Sequence, residues 1–417
     1  MPETKTRLRK EDLFIRYCCR TDITTGDYAA RIKDLLNTPL EWDYCFARAN
    51  NERVAPLLYK ALTRIEGADS AVPSRIWQTL KERYYTVLGK NAALVEQMED
   101  LSVLFRSHGI GFLLFKGLAL AEAVYQNVGL RESSDFDLLI HKNDFPDIDA
   151  LLKNLGYEPF FDTGNVALLP CNPYRNSVMY HSRDHLGIPL HIYWHPINLV
   201  SYHAEIMSAL DLEKVFLESQ IIPIGAAQVA TYSPHHQILF LSMHALSHGF
   251  SPLVLLCDIN ELIRAEGNAL DWNKTVDDAF SFRLSKHVFY TLYLCERILE
   301  TKMPGWVMAA LRQKKLSFFE RRVLESVEEG AGAAGQEWLM YLFMNERLAE
   351  KASFLKRALF PSARELSLIK QKDCAKINAL DYIARFFSAI LCGLRVVAKQ
   401  IVRGKKTNRE EIPKKPL

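Results

Sequence analysis

Gly111-Phe-Leu-Leu-Phe-Lys-Gly-Leu118 and Gly129-Leu-Arg-Glu-Ser-Ser-Asp-Phe-Asp-Leu-Leu-Ile140 bound the stretch whose reading decides the fold. Phe112 to Phe115 form a short apolar run that stops at Lys116-Gly117, the pattern of a buried strand entering a turn. Ala119, Leu120, Ala123 and Val124 then recur at helical spacing. Beyond Gly129 the chain becomes a second apolar strand with Asp135 and Asp137 at its start. Side chains alternate along a strand, so both carboxylates face one way and Phe136 the other. Two neighbouring carboxylates repel, and burying them is costly unless a cation or hydrogen bonds compensate. Hard oxygen donors suit a divalent ion such as magnesium.

These residues carry a resemblance. Lys116-Gly117, followed by Arg131-Glu-Ser-Ser134-Asp135-Phe-Asp137-Leu-Leu, resembles the nucleotidyltransferase core of the DNA polymerase beta superfamily. It is more similar still to a bacterial group of uncharacterised nucleotidyltransferases. Trp42, Ala55 to Tyr59, Trp194, and His244 to His248 with Asp258 extend the likeness over most of the chain. The resemblance implies an α+β fold: a small mixed sheet flanked by helical domains on both sides. It also implies transfer of a nucleotidyl group from a nucleoside triphosphate to an acceptor, with Mg2+ or Mn2+ held by Asp135 and Asp137. Gly117 would let the backbone approach the phosphates, and Lys116, Arg131 and Ser134 would contact their oxygens.

The group normally places a third carboxylate on a later strand, three residues before a tryptophan. Aligned on Trp194, that position is His191, and Tyr193 stands where a histidine is usual. Alternation sets His191, Tyr193 and His195 on one face, toward Asp135 and Asp137. A neutral imidazole at His191 could take the proton of the attacking hydroxyl and would suit manganese better than magnesium. Asp184 in the preceding turn is a further acid, and Leu118 departs from the glycine or serine usual after the first glycine. The reading therefore keeps two functions open: an active transferase, and a degenerate core that binds nucleotide or a protein partner without turnover.

Plainer readings stand beside the chemical ones. Lys116 and Arg131 also read as solvated charges at element ends, and Asp135 as a turn or capping residue after Ser133-Ser134. His181, His185, His191 and His195, with His244 and His248, allow zinc chemistry, although the Glu of a His-Glu-x-x-His helix is missing. Packing and hydrogen bonding are the favoured explanation of these histidines.

The 417 residues exceed one ordinary domain, and 49% hydrophobic with 24% charged residues describes a globular chain with ample core. A formal charge of +3 gives no basis for specific nucleic-acid binding. Eight cysteines without a Cys-x-x-Cys pair argue against a zinc ribbon or a disulfide scaffold. The opening residues lack the apolar segment of a secretory leader, no apolar run is long enough to span a bilayer, and the chain reads as cytoplasmic.

Four parts are expected: a helical region over 1–107, the α+β core over 108–225, a helical domain over 226–403 and a disordered tail over 404–417. Within the first, Ile76 to Leu88 and Ala92 to Phe105 read as separate helices, with Ser74 as an N-cap. In the core, Ile148 to Leu155 reads as a helix closed by Gly156, Tyr157-Glu-Pro as an edge strand, and Ser177–Arg183 with Ile188–Trp194 as a hairpin. Helices resume near Thr231, with Ser233 capping and Pro234 in first position. In the last helix, 377–403, a narrow stripe through Arg385, Arg395, Lys399 and Arg403 borders a wide apolar face. That pattern suits peripheral contact with an anionic membrane or a partner protein, and equally a helix that covers its own domain.

Overall fold

The computed structural model describes residues 8–24, 26–160, 176–182, 188–197, 204–312, 315–330, 336–344, 348–370, 376–391 and 393–394. They fall into two compact units, one of residues 9–245 with 252–311, the other of 1–8, 246–251 and 312–417.

The larger unit opens with α1 (Lys10–Cys18), α2 (Tyr28–Leu36), α3 (Trp42–Asn51), α4 (Ala55–Leu62), α5 (Ala68–Ala71) and α6 (Ser74–Ser107). The two helices expected between 76 and 105 are one helix of 34 residues, and Ser74 is its first residue behind Pro73 rather than its cap. The polar segment Gly89-Lys-Asn91 contains no proline to break it, and Asn91 continues the buried stripe of Ile76, Leu80, Tyr84, Val87, Leu94, Met98, Leu101 and Phe105.

The central sheet has five strands: β1 (Phe112–Phe115), β2 (Phe136–Ile140), β3 (Tyr157–Pro159), β4 (Ser177–Ser182) and β5 (Leu190–Tyr193). Their order is β1-β2-β5-β4-β3, parallel between β2 and β5 and antiparallel elsewhere. The sheet is mixed, as expected, and Pro159 lies in an edge strand, where its missing N–H removes no interior ladder bond. Between the strands run α7 (Gly117–Ala123) and α8 (Phe145–Asn154), the latter followed by Gly156 at φ 81°.

Alternation makes the sheet two-faced. Leu114, Phe136, Leu138, Ile140, Val178, Tyr180, Leu190, Ile192 and Trp194 join the core with Leu94, Met98 and Phe105 of α6 and Ile148 and Leu152 of α8. Asp137, His191 and Tyr193 therefore belong to the opposite face.

A second, two-stranded sheet was not legible in the sequence. After α9 (Ala204–Ala209) and α10 (Leu212–Leu217) come β6 (Gln220–Ile224) and β7 (Ala227–Thr231), a hairpin whose Ile222, Ile224 and Val229 enter the same core. Pro223 inside Ile221-Ile222-Pro-Ile224 hides the strand signal. The turn needs Gly225: its φ is 56°, and a Cβ would fall 1.9 Å from Glu99 Oε1, which accepts the Ala226 amide at 2.6 Å.

The unit closes with α11 (Pro234–Ser247), α12 (Val254–Glu266), α13 (Trp272–Ser281), α14 (Ser285–Leu299) and α15 (Gly305–Leu311). Pro234 occupies the first position of α11, as its sequence implies.

The smaller unit holds α16 (Phe318–Glu328), α17 (Gln336–Met344), α18 (Leu348–Leu359) and α19 (Ala363–Lys370). Ser362 caps α19, its hydroxyl accepting the Glu365 amide. The chain is helical again over 379–391, where Leu380, Ile383, Phe387 and Leu391 are exposed. No helix of the described residues is long and apolar enough to cross a membrane. Asp184 and His185 of the expected turn and the tail over 404–417 lie outside the described residues.

Candidate active site

The parallel pairing of β2 with β5 sets Asp137 opposite His191, and the antiparallel pairing of β1 with β2 sets Phe115 opposite Asp137. The Lys116 turn, the carboxylates and the later imidazole are thus joined by backbone register. One oxygen each of Asp135 and Asp137 and one ring nitrogen of His191 lie within 4.8 Å of one another.

Lys116 occupies an unusual backbone position, φ 60° and ψ −161°, a region nearly reserved for glycine that costs roughly 1–3 kcal/mol. The conformation sends its ammonium to Asp137 Oδ1 at 3.1 Å, flanked by the rings of Phe115 and Tyr193 at 4.7 and 5.6 Å. Gly117 follows at φ 36°, and a Cβ there would stand 3.2 Å from Ser133 Oγ. Ser133 itself is buried, with its hydroxyl unpartnered. The sequence pointed to Ser134; that hydroxyl instead donates to Asp135 Oδ1 at 3.0 Å, while Ser133 is the serine packed on the Lys-Gly turn.

Electrostatics follow from burial. Loss of solvent, and then the neighbouring Asp137, push the Asp135 carboxyl above its usual range, with Lys116, Ser134 and His191 opposing. Burial, with Lys116 second, lowers His191 to about 4, so its ring is neutral near pH 7. Burial, and then Asp137 and Asp135, hold the Tyr193 phenol protonated. The phenol oxygen lies 2.6 Å from His191 Nδ1, and Nε2 of the same ring lies 3.0 Å from Ser177 Oγ. Tyr232, just beyond β7, is fully buried against Phe115 at 5.1 Å between ring centroids, its hydroxyl unpartnered. Its phenol is raised by burial and next by Asp137, which brings it to the same face. Nothing in the sequence pattern singled out Tyr232, because its approach depends on the unrecognised hairpin.

Arg131 is within electrostatic reach of Asp137 but is paired with a different acid. Its guanidinium grips buried Asp258 of α12, Nη2 to Oδ2 at 2.8 Å and Nε to Oδ1 at 3.2 Å, while Nη1 donates to the Glu132 carbonyl. Tyr125 adds a bond to Asp258 Oδ1 at 2.9 Å. The loop between them is fixed by Asn91 of α6, whose amide donates to the Val128 and Arg131 carbonyls at 2.6 and 2.7 Å and accepts the Ser133 N–H at 3.2 Å. His195 turns away into its own loop, Nδ1 accepting the Ile197 amide at 3.1 Å.

The donor set fits a divalent cation. Two carboxylates whose repulsion raises Asp135, with one neutral imidazole beside them, supply the one or two protein oxygens that magnesium ordinarily takes, and a nitrogen acceptable to manganese. Lys116 partly fills the same role of countering Asp137.

No curated protein matches the chain. A family described as uncharacterised nucleotidyltransferase matches residues 38–300, which include the whole five-stranded sheet, the Lys-Gly turn and α12. The match covers well over half the chain, so the protein whose carboxylates, turn and imidazole are described above belongs to the uncharacterised nucleotidyltransferase family.

Proposed function

We propose that the chain transfers a nucleotidyl group from a nucleoside triphosphate to an acceptor hydroxyl, with release of pyrophosphate. The observation that carries the reading is the convergence of Asp135, Asp137 and His191 within 4.8 Å on the face of β2 and β5 opposite the core. Asp135 and Asp137 would hold Mg2+ or Mn2+. Such an ion supplies charge neutralisation at the transferred phosphate and orientation of the triphosphate.

The chain's own groups do the rest. Lys116, already held over Asp137, exchanges that contact for a phosphate oxygen when the triphosphate arrives. Gly117 lets backbone approach the phosphates, and the Ser133 and Ser134 hydroxyls are within the same turn. Neutral His191 accepts the proton of the attacking hydroxyl on its unprotonated ring nitrogen. Arg131 acts at one remove, by holding the loop that carries Ser133 and Asp135.

The second reading, nucleotide or partner binding without turnover, is favoured by a specific feature: the third acidic position is an imidazole already hydrogen-bonded on both nitrogens. Calorimetry with each triphosphate plus Mg2+ or Mn2+, followed by pyrophosphate release from wild type and Asp137→Asn, separates the two. Pyrophosphate formed only by the wild type supports transfer. Tight binding, lost in the variant, with no pyrophosphate under any pairing supports the second reading.

Location in the cytoplasm accords with the composition, and peripheral membrane contact through 377–403 accords with the exposed Leu380, Ile383, Phe387 and Leu391. Co-flotation with acidic but not neutral liposomes is the expected result, and no flotation with either removes the membrane contact.

A further inference from the structure

A second cluster lies outside the β2–β5 face, where α10, α11 and α13 meet within the larger unit. Glu218 follows α10, His235 and His236 occupy the first turn of α11, and Asp278 lies on α13. One ligand atom from each falls within 4.8 Å of all the others. Four separations are resolved: His235 Nε2 to Glu218 Oε2 2.8 Å and to Asp278 Oδ2 3.6 Å, and His236 Nε2 to Asp278 Oδ2 3.2 Å and to Glu218 Oε2 3.8 Å. A tetrahedral zinc site with bonds near 2.0–2.1 Å has ligand edges of about 3.3 Å. The four distances bracket that edge.

The hydrogen bonding points the same way. His236 is fully buried and Asp278 2% exposed, yet neither His236 Nε2 nor Asp278 Oδ2 has a hydrogen-bond partner, although they stand 3.2 Å apart. A cation shared by the cluster would satisfy both buried atoms at once. The groups around them secure the opposite sides of the ligands. Lys214 pairs with Asp278 Oδ1 and Lys274 with Glu218 Oε1 at 3.3 Å, so each carboxylate keeps its second oxygen for the cluster. Ser233 Oγ lies 3.0 Å from His236 Nδ1, which fixes the ring with Nε2 inward, as outer partners of metal-binding histidines do. Phe282 stacks on His236 at 5.8 Å and excludes water from that side. Both lysines are at least one-third exposed, so their charge stays solvated.

We infer that Glu218, His235, His236 and Asp278 form a four-ligand site for a transition-metal ion of zinc's class, which clips α10, α11 and α13 together. With two imidazoles and two carboxylates supplied by the chain, no position is left for substrate, and the role is structural. The inference is independent of the chemistry proposed for Asp135 and Asp137.

The test uses the full chain, stripped with chelator, exposed to zinc alone and dialysed. The expected result is about one tightly held zinc per chain, retained in an Asp135→Asn/Asp137→Asn variant and weakened at least about tenfold in His235→Gln/His236→Gln. Absorption-edge spectroscopy of the zinc-loaded wild type reads the site without any variant, and two imidazoles in its coordination shell are expected. A shell with a single imidazole assigns the ion to the Asp135–Asp137–His191 cluster and overturns the inference. So does zinc that dialyses away from the wild type, or zinc lost from the aspartate variant and kept by the histidine variant.

Discussion

Asp258 and Asp137 are both buried carboxylates facing a cation, and their surroundings differ in one respect. Asp258 is saturated: Arg131 grips it through two nitrogens, Tyr125 adds a third donor, and no surface remains exposed. Asp137 is left less finished, although the Tyr193 phenol also reaches it. Lys116 reaches it by a point contact from a strained turn, the nearest imidazole is neutral, and a second carboxylate presses against it. A saturated pair holds structure together; an unsaturated one keeps coordination free for something that arrives. The same loop, 125–137, carries a partner of each pair, so the finished interaction positions the unfinished one.

That contrast can be broken in several ways. Arg131→Met leaves Asp258 buried and uncompensated, and should cost about 3–5 kcal/mol of unfolding free energy in a denaturant titration. A loss below about 1 kcal/mol would show that the pair is not the structural anchor. Asp137→Asn should lower pyrophosphate release by about 10²–10³-fold if the unfinished site is catalytic. Unchanged release would refute the proposed chemistry.

The pH dependence sharpens the comparison further. The His191 pKa falls from 6.5 to about 4 on folding, so between those values the unfolded chain binds more protons than the folded one. Stability is full above about 6.5 and lost as pH falls toward 4, on the order of 3 kcal/mol for metal-free protein. His191→Gln should flatten that limb of a stability-versus-pH curve, and a slope that persists would place its origin elsewhere. Asp135 shifts the other way: burial and Asp137 raise it, so its ionised form near pH 7 opposes folding. Asp135→Asn should therefore raise the melting temperature slightly, a gain of up to about 1 kcal/mol, while activity falls. A melting temperature that drops instead would mean the two acids are not in conflict.

The sheet and its polarity were legible because period-two alternation is a local signal. Phe136-Asp137-Leu138 and His191-Ile192-Tyr193 declare which residues share a face without any knowledge of their neighbours. The edge position of Tyr157-Glu-Pro159 and the Pro234 helix start were readable for the same reason. What failed depended on tertiary contact. Asn91 looked like a helix break because its amide partners lie about 40 residues away, in the 128–133 loop. The pairing of Arg131 with Asp258, 127 residues distant, was likewise invisible in the sequence. The sequence pointed to Ser134 over Ser133, since the packing of Ser133 on Gly117 is visible only in the fold. Tyr232, Glu218, His235 and His236 flank β6 and β7, whose proline obscured the pattern.

Asn91 has a consequence for how the molecule can change over generations. It sits on the same rod as Leu94, Met98 and Phe105, so the loop it clasps and the core those residues fill are tied to one rotational phase. One residue inserted or deleted between Asn91 and Leu94 would turn the two parts by about 100° relative to each other. Lineages of this chain should therefore tolerate substitutions in that segment of α6 far more readily than changes in its length.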